Sequence, residues 1–265
     1  MPKGQNISSA VMARRHDPLD SLDHFPTPPW ATRALLEHLL IELITIDKMV
    51  DIRDFRTREL IVPPRAEYVK RLSVWEPACA EGHMVTALKD YFGEVFFSDC
   101  HDYGTGDIAD FLVSSQLHKP NWIITNPPFV LAERFIHTAL ASATDGVAMF
   151  MRTSFLEGIK RHNNLFTVTP PSYVGVFSER VILYKGVLLD PDVKYWDEKM
   201  NKMRKPASAT SYSWFVWLKN PMTPGTKLVW MPPCRKKMER PGDYPPLPAH
   251  LLKPETSPFF EREPQ

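Results

Sequence analysis

The stretch WIITNPPFV, Trp122 to Val130, opens on three apolar residues, pauses at a threonine, and then presents an asparagine, two prolines and a phenylalanine. Its first half reads as a buried strand, because a strand covered on both faces shows a near-continuous apolar run rather than alternation. Its second half is an uncommon breaker, since a single glycine would end a strand equally well. Outward from this stretch, strands and helices alternate. LSVWEPA reads as a strand, GHMVTALKDYFG as a helix closed by Gly93, and EVFFSDC as a strand. GTGDIADFLVSSQ is a turn followed by a helix, LAERFIHTALASAT a helix closed by Gly146, and GVAMFMRTSF a strand. Strands separated by helices at this spacing need crossover connections, and these make a parallel sheet. The fold class is therefore α/β, with a doubly wound, mostly parallel sheet.

The flanks fill in the layout. FPTPPWATRALLEHLLIELI reads as a helix with Thr27 as N-cap and Pro28 at the first helical position, its apolar face carried by Leu35, Leu36, Leu39, Leu40, Leu43 and Ile44. Residues 1–24 are polar and patternless and read as a flexible segment; residues 48–71 read as a charged excursion from the core. The core domain spans 25–219 and includes a basic loop at 190–210. SYSWFVWLK supplies a late strand whose Trp214, Phe215 and Trp217 suit the core better than base stacking. From 220 to 265 proline dominates, and the expectation is an extended tail.

Composition limits the function classes. With 43% hydrophobic and 24% charged residues, the chain has the profile of a soluble globular protein. A net charge of +1 gives no global basic field to announce nucleic acid. Cys79, Cys100 and Cys234 are odd in number and widely spaced, which matches neither a disulfide framework nor a zinc site and suits a reducing cytoplasm. The histidines have no metal-ligand spacing, so no metal is expected. The first twenty residues lack the apolar centre of a signal peptide, and no apolar run is long enough to cross a membrane.

Chemistry gathers at the expected strand ends. In doubly wound sheets, ligands bind beyond the carboxyl ends of the strands, near the reversal in strand order. After the first strand, WEPACAEGHM places Glu76 and Pro77 at that rim, with Ala78, Ala80 and Gly82 small enough for close backbone approach. The stretch has neither a dinucleotide glycine fingerprint nor a phosphate-loop lysine. Asp99, ending the second strand, can accept hydrogen bonds from both hydroxyls of a ribose. Glu76 and Asp99 without a phosphate loop favour a nucleoside bearing a cationic or zwitterionic group, and S-adenosylmethionine fits. Asp107 can accept from an adenine amino group with Ile108 against the ring, or cap the following helix. In Asn126, Pro127, Pro128 and Phe129 the residue types fit an amine clamp. An exocyclic aromatic amine is a poor nucleophile because its lone pair is delocalised. Acceptors on its N–H bonds, the Asn126 amide oxygen and the Pro127 carbonyl, would favour a more tetrahedral nitrogen. The prolines stiffen the loop and donate no hydrogen bond, and Phe129 offers a stacking face. Lys199, Lys202, Arg204 and Lys205 are candidates for phosphate contact, and Arg235, Lys236, Lys237 and Arg240 form a second basic cluster.

Taken together, FPTPPW, EPACAEGHM, SDC, GDI and TNPPF resemble the S-adenosylmethionine-dependent amino-methyltransferases. The resemblance is greatest to DNA N6-adenine methyltransferases in which the cofactor motif precedes the catalytic one. FLEG, PPSYVGVFSERV and SYSWFVW look like the compact phage and prophage forms, in the cytoplasm of a bacterial host. The resemblance implies a class I methyltransferase fold. It places Thr27 and Pro28 near the methionine end of the cofactor, Glu76 to Gly82 as the cofactor loop, Asp99 at ribose, and Asp107 at adenine. Asn126 to Phe129 would hold the target amine of a flipped base, with DNA as partner. RNA adenine-N6, RNA guanine-N2 and protein glutamine methyltransferases share Asn–Pro–Pro–Phe or close variants, so an RNA amine is the alternative substrate. The family pattern usually has glycine where this chain has Ala80. That departure is the one hint toward an inactive nucleic-acid-binding protein on the same fold.

Overall fold

The structure, a computed structural model, describes residues 23–44 and 65–254. The expectations for residues 1–22, for most of the excursion and for 255–265 lie outside the described residues. Eight strands form one sheet: β1 (Ser73–Glu76), β2 (Glu94–Asp99), β3 (Asp107–Ile108), β4 (Trp122–Thr125), β5 (Gly146–Arg152), β6 (Tyr173–Phe177), β9 (Tyr212–Leu218) and β10 (Lys227–Met231). Their spatial order is β10-β6-β9-β5-β4-β1-β2-β3. All neighbours run parallel except β9, which is antiparallel to both β5 and β6. The chain moves outward from β1 through β2 to β3, then returns to β4 on the other side of β1. That reversal opens a crevice at the carboxyl ends of β1 and β4. The doubly wound, mostly parallel sheet expected from the sequence is what the structure has.

Two apolar cores, one on each face, explain why the strands are apolar throughout. On β5, Ala148 and Phe150 enter one core, while Val147, Met149 and Met151 enter the other. Trp214 and Val216 of β9 alternate in the same way with Phe215 and Trp217, all at most 1% exposed. Each large side chain buried this fully contributes about 1.5–3 kcal/mol. The first face is covered by α1 (Pro29–Leu35), which continues through a π-type turn at Leu36–Leu40, and by α3 (His83–Lys89). The single turn α2 (Arg65–Val69) leads into β1. The other face is covered by α4 (Phe111–Ser114) and α5 (Ala132–Ser142). Trp214 donates its indole N–H to the Ala31 carbonyl at 3.0 Å, which ties β9 to α1, whereas the buried indole N–H groups of Trp30 and Trp122 in the same core have no partner among the described residues.

Several local expectations are corrected. The helix starts at Pro29 with Pro28 in the cap position and no side-chain cap; Thr27 turns its hydroxyl elsewhere. Gly93 and Gly146 do not close helices through a left-handed residue, since neither has a positive φ. A Cβ on Gly93 would sit 2.0 Å from the Lys70 carbonyl oxygen, and one on Gly146 would sit 2.5 Å from the Trp122 indole. Both are glycine because another part of the chain lies against them. The basic loop is not irregular throughout: β7 (Tyr195–Asp197) and β8 (Lys202–Arg204) pair as an antiparallel hairpin.

The extended tail is the largest correction. Lys227–Met231 forms edge strand β10, and α6 (Arg235–Met238) packs near α1. The anchor is Arg33 of α1, 2% exposed. It donates to both carboxylate oxygens of Asp243 at 2.7 and 3.0 Å, to Asp90 at 3.0 Å and to the Met238 carbonyl at 2.9 Å. The prolines punctuate this segment; the buried guanidinium holds it. Removing one partner of a buried ion pair strands the other charge. Arg33→Ala is accordingly expected to cost about 3–5 kcal/mol in urea unfolding, well above an exposed arginine substitution.

Candidate active site

At the carboxyl ends of β1, β2 and β4 lies a cavity of about 380 Å³. Of the residues singled out from the sequence, Thr27, Glu76, Pro77, Ala78, Ala80, Asp99, Asn126 and Pro128 line it. Pro28, Gly82, Asp107, Ile108 and Pro127 do not line it, and Phe129 borders a second cavity instead. Asp107 and Ile108 are exposed on β3, and Asp110 stands in their place. Asp110 is the N-cap of α4, accepting the Leu112 N–H at 2.9 Å, and it lines the cavity together with Phe111. The signal for it was present in ADFL, an acidic residue directly before an apolar helical turn. Asp23 and His24, assigned to the flexible segment, also line the cavity, with His24 2.8 Å from Glu81.

The loop after β1 is held by Asp99. One carboxylate oxygen accepts the Ala80 N–H at 3.0 Å, and the other accepts the His101 N–H at 3.0 Å. Ala80 lies at φ +44, in the left-handed region that disfavours any side chain, which is where a glycine would carry no penalty. Gly82 follows at φ +81 as the N-cap of α3, and a Cβ there would meet Thr105 at 2.9 Å. The helix thus begins immediately behind the cavity wall.

Glu76 is 1% exposed. Its Oε1 accepts the Thr125 hydroxyl at 2.7 Å, whereas Oε2 has no partner among the described residues. Burial raises its pKa well above the usual carboxylate value. The negative charge of Asp99 adds to the rise, while the hydrogen bonds from Thr125 and the Asn126 backbone oppose it. Burial, with Glu76 and Asp99 adding, pushes the Cys79 thiol up to about 12, so it is not a ready nucleophile.

Asn126 donates its amide nitrogen to the Phe25 carbonyl at 2.8 Å and to the Thr27 hydroxyl at 2.9 Å. This explains why Thr27 does not cap α1. It also fixes the amide orientation, because the flipped amide would set its oxygen against a carbonyl oxygen. Oδ1 is buried and has no partner among the described residues. In the following turn the Pro128 carbonyl accepts the Leu131 N–H, and none of the described residues donates to the Pro127 carbonyl. Phe129 is half-buried, with its ring centroid 5.4 Å from that of Phe25, and its N–H donates to Asp23 at 2.6 Å. Asn126 and Pro128 therefore face one cavity and Phe129 the other, with Asp23 bordering both.

No protein-family model and no curated protein matches the sequence. Among solved structures, the chain is similar to a putative class I S-adenosylmethionine-dependent methyltransferase of Listeria monocytogenes, at 12% identity and TM-score 0.44, over 80% of this chain and 67% of that one. A modification subunit of a putative type I restriction enzyme from Vibrio vulnificus gives 11% identity and TM-score 0.42, over 78% of this chain and 47% of that one. An S-adenosylmethionine-dependent O-methyltransferase from Thermotoga maritima gives 12% identity and TM-score 0.37, over 68% and 73%. Identities and scores this low leave the reading of the site to its own geometry.

The basic candidates fall outside both cavities. Lys199, Lys202, Arg204 and Lys205 lie on or beside the β7–β8 hairpin, where Arg204 meets Asp197 at 2.8 Å. Arg235, Lys236 and Arg240 are engaged by Glu179, Asp192, Glu239 and Asp90. Among the described residues no cluster of metal-ligating side chains occurs, and no helix is long and apolar enough to cross a membrane.

Two outcomes follow from this geometry. A carboxyl whose pKa is higher folded than unfolded stabilises most below its ordinary value of 4.5, and that contribution is lost as pH rises toward the raised value. Glu76→Gln should remove this loss. The variant without ligand should melt above the parent at neutral pH, with the gap closing as pH falls below the carboxylate range, read from melting temperatures across pH. Ala80→Gly should stabilise by roughly 0.5–1 kcal/mol, the relieved left-handed strain exceeding the added chain entropy, read from urea midpoints.

Proposed function

We propose that this chain transfers a methyl group from S-adenosylmethionine to the exocyclic N6 amine of adenine in DNA, on a class I methyltransferase fold. The observation that carries the reaction type is the Asn126 amide oxygen, buried, fixed in direction and lacking a donor. A stranded buried acceptor costs about 1–3 kcal/mol, and it persists where a ligand completes it. The missing partner is an N–H. The Pro127 carbonyl is a second acceptor from the same rigid loop, as a two-hydrogen amine requires. Phe129, two residues further on, provides a face for the planar ring that bears the amine.

The cavity residues fit the cofactor. The volume falls in the range of small-molecule sites, about 300–1,000 Å³. The buried Glu76 carboxyl, with one oxygen unpaired, is completed by a cationic group. Asp99 keeps lone pairs for ribose hydroxyls beyond its two backbone bonds. Asp110, rather than Asp107, is placed to accept from an adenine amino group. When bound, S-adenosylmethionine supplies an electrophilic methyl group on a sulfonium. The chain orients the amine toward it, and positioning supplies most of the rate. Attack would be direct: the N6 lone pair would form the N–C bond as the S–C bond breaks, the neutral thioether would leave, and the surplus amine proton would pass to solvent, with the protonated Cys79 thiol taking no part. The choice of adenine in DNA rests on the resemblance of the quoted motifs to DNA N6-adenine methyltransferases. A base in a duplex would be flipped out to reach the loop.

Asn126→Ala should lower turnover about 10²–10³-fold, with a smaller loss of cofactor affinity because the variant also releases Phe25 and Thr27 from the cavity wall. Labelled cofactor with separate DNA, tRNA, rRNA and protein pools reads the acceptor. Label confined to RNA or protein overturns the DNA assignment, and near-normal turnover in Asn126→Ala overturns the clamp. Cofactor binding without label in any pool favours an inactive binder, for which the strained Ala80 backbone is the supporting observation.

A further inference from the structure

Beyond Phe129 lies the second cavity, about 330 Å³, bordered by Asp23, Phe129, Arg152, Ser154, Phe155 and Arg161. Its two arginines are held in similar ways. Arg152, the last residue of β5, lays its guanidinium 4.6 Å from the Phe129 ring centroid, and its Nε is buried with no partner among the described residues. Arg161 lies 4.7 Å from the Phe155 ring centroid and donates from Nε to the Glu157 carbonyl at 2.9 Å, with Nη2 donating to the same oxygen. That folded-back course needs a glycine. Gly158 sits at φ +130, and a Cβ there would lie 2.9 Å from Arg161 Nη2. A guanidinium stacked on a ring loses little freedom on binding and keeps in-plane N–H donors at its edge.

These arginines differ from four others among the described residues. Arg33, Arg204, Arg235 and Arg240 each meet a carboxylate within 4.0 Å. Among the described residues, no ion pair involves Arg152 or Arg161. The one carboxylate bordering the cavity, Asp23, already accepts the Phe129 N–H. Two guanidiniums against one carboxylate leave the cavity cationic. Val130, which borders it, is 90% exposed, a large apolar side chain left in solvent at the edge of a charged site, and Ile159, two residues before Arg161 in the chain, is 83% exposed.

We infer that this cavity takes the phosphate adjoining the target base, so that the acceptor is a nucleotide in a strand rather than a peptide or a free amine. Arg152 and Arg161 donate to the phosphate oxygens, and the apolar rim meets the flat faces of neighbouring bases. The inference rests on the proposed amine-methylating reading of the adjacent loop and deepens it. It also moves the expected phosphate contacts from the β7–β8 hairpin to the mouth of the site.

The test uses the full chain, with 2′-deoxyadenosine, 2′-deoxyguanosine and their 3′,5′-bisphosphates as calorimetric probes and a polyglutamate peptide as competitor. For at least one base, the bisphosphate should bind about tenfold more tightly than the nucleoside, an advantage that shrinks with added salt. Arg161→Ala should abolish most of that advantage and Arg161→Lys restore part of it, with cofactor affinity and melting temperature unchanged in both. Equal affinity of nucleoside and bisphosphate for both bases overturns the inference. So does an undiminished advantage in Arg161→Ala, or displacement by polyglutamate as effective as by an oligonucleotide. A phosphate advantage without methyl transfer to any nucleic acid supports the subsite and removes the enzymatic reading. Methyl transfer without a phosphate advantage removes the subsite and leaves the chemistry.

Discussion

One carboxamide nitrogen joins two distant parts of the chain, and much of the architecture follows from it. Asn126 ends the strand beside the sheet's reversal and donates to Phe25 and Thr27, 101 and 99 residues away in sequence. Those bonds draw the segment before α1 across the mouth of the first cavity, where Phe25 and Thr27 become wall. They also take Thr27 out of the cap position, so α1 begins two residues later, at Pro29. From there α1 runs over the first core, and its buried Arg33 binds Asp243, which ties the C-terminal segment to the same face. A contact made for an amide's orientation thus sits at the head of a path reaching strand β10.

The first cavity concentrates features that folding alone would avoid. Glu76 is a carboxyl buried to 1% exposure with one oxygen unpaired, Asn126 Oδ1 is a buried acceptor without a donor, and Ala80 carries a positive φ. Each has a cost, and all three fall at the carboxyl edge of two adjacent strands, β1 and β4. Unpaired buried groups and strained backbone tend to gather where a ligand completes them. The surrounding sheet can bear these costs because both of its faces carry a packed apolar core.

The central sheet was legible because its signal is local. Apolar runs at strand spacing, separated by helical segments, are enough to imply parallel strands, and the strand-ending motif marked the edge where the site lies. What the sequence hid was set by partners far along the chain. Gly93 and Gly146 looked like helix closers, yet their lack of a side chain answers to the Lys70 carbonyl and the Trp122 ring. Thr27 has a cap's chemistry, but a tertiary acceptor role took its hydroxyl. Lys227–Met231 is short, sits among prolines and leaves Leu228 and Trp230 exposed, so nothing in its pattern separates an edge strand from an extended tail. Asp107 and Asp110 are both acidic residues near one turn, and only the course of β3 turns the first outward and leaves the second in the wall.

The two cavities carry opposite character, and the loop between them is nearly neutral. On one side stand Glu76, Glu81, Asp99 and Asp110 with Arg134; on the other, Arg152 and Arg161, with Asp23 bordering both. On the proposed reading this asymmetry orders the reactants before any chemistry occurs. A cationic donor would be favoured on the side richer in carboxylates and a polyanionic acceptor on the side of the two guanidiniums. Asn126 and the Pro127 carbonyl then need only hold the amine, by accepting hydrogen bonds rather than protons. Glu76 and Asp99 would hold the cofactor on the carboxylate-rich side, and it would supply the methyl group as an electrophile.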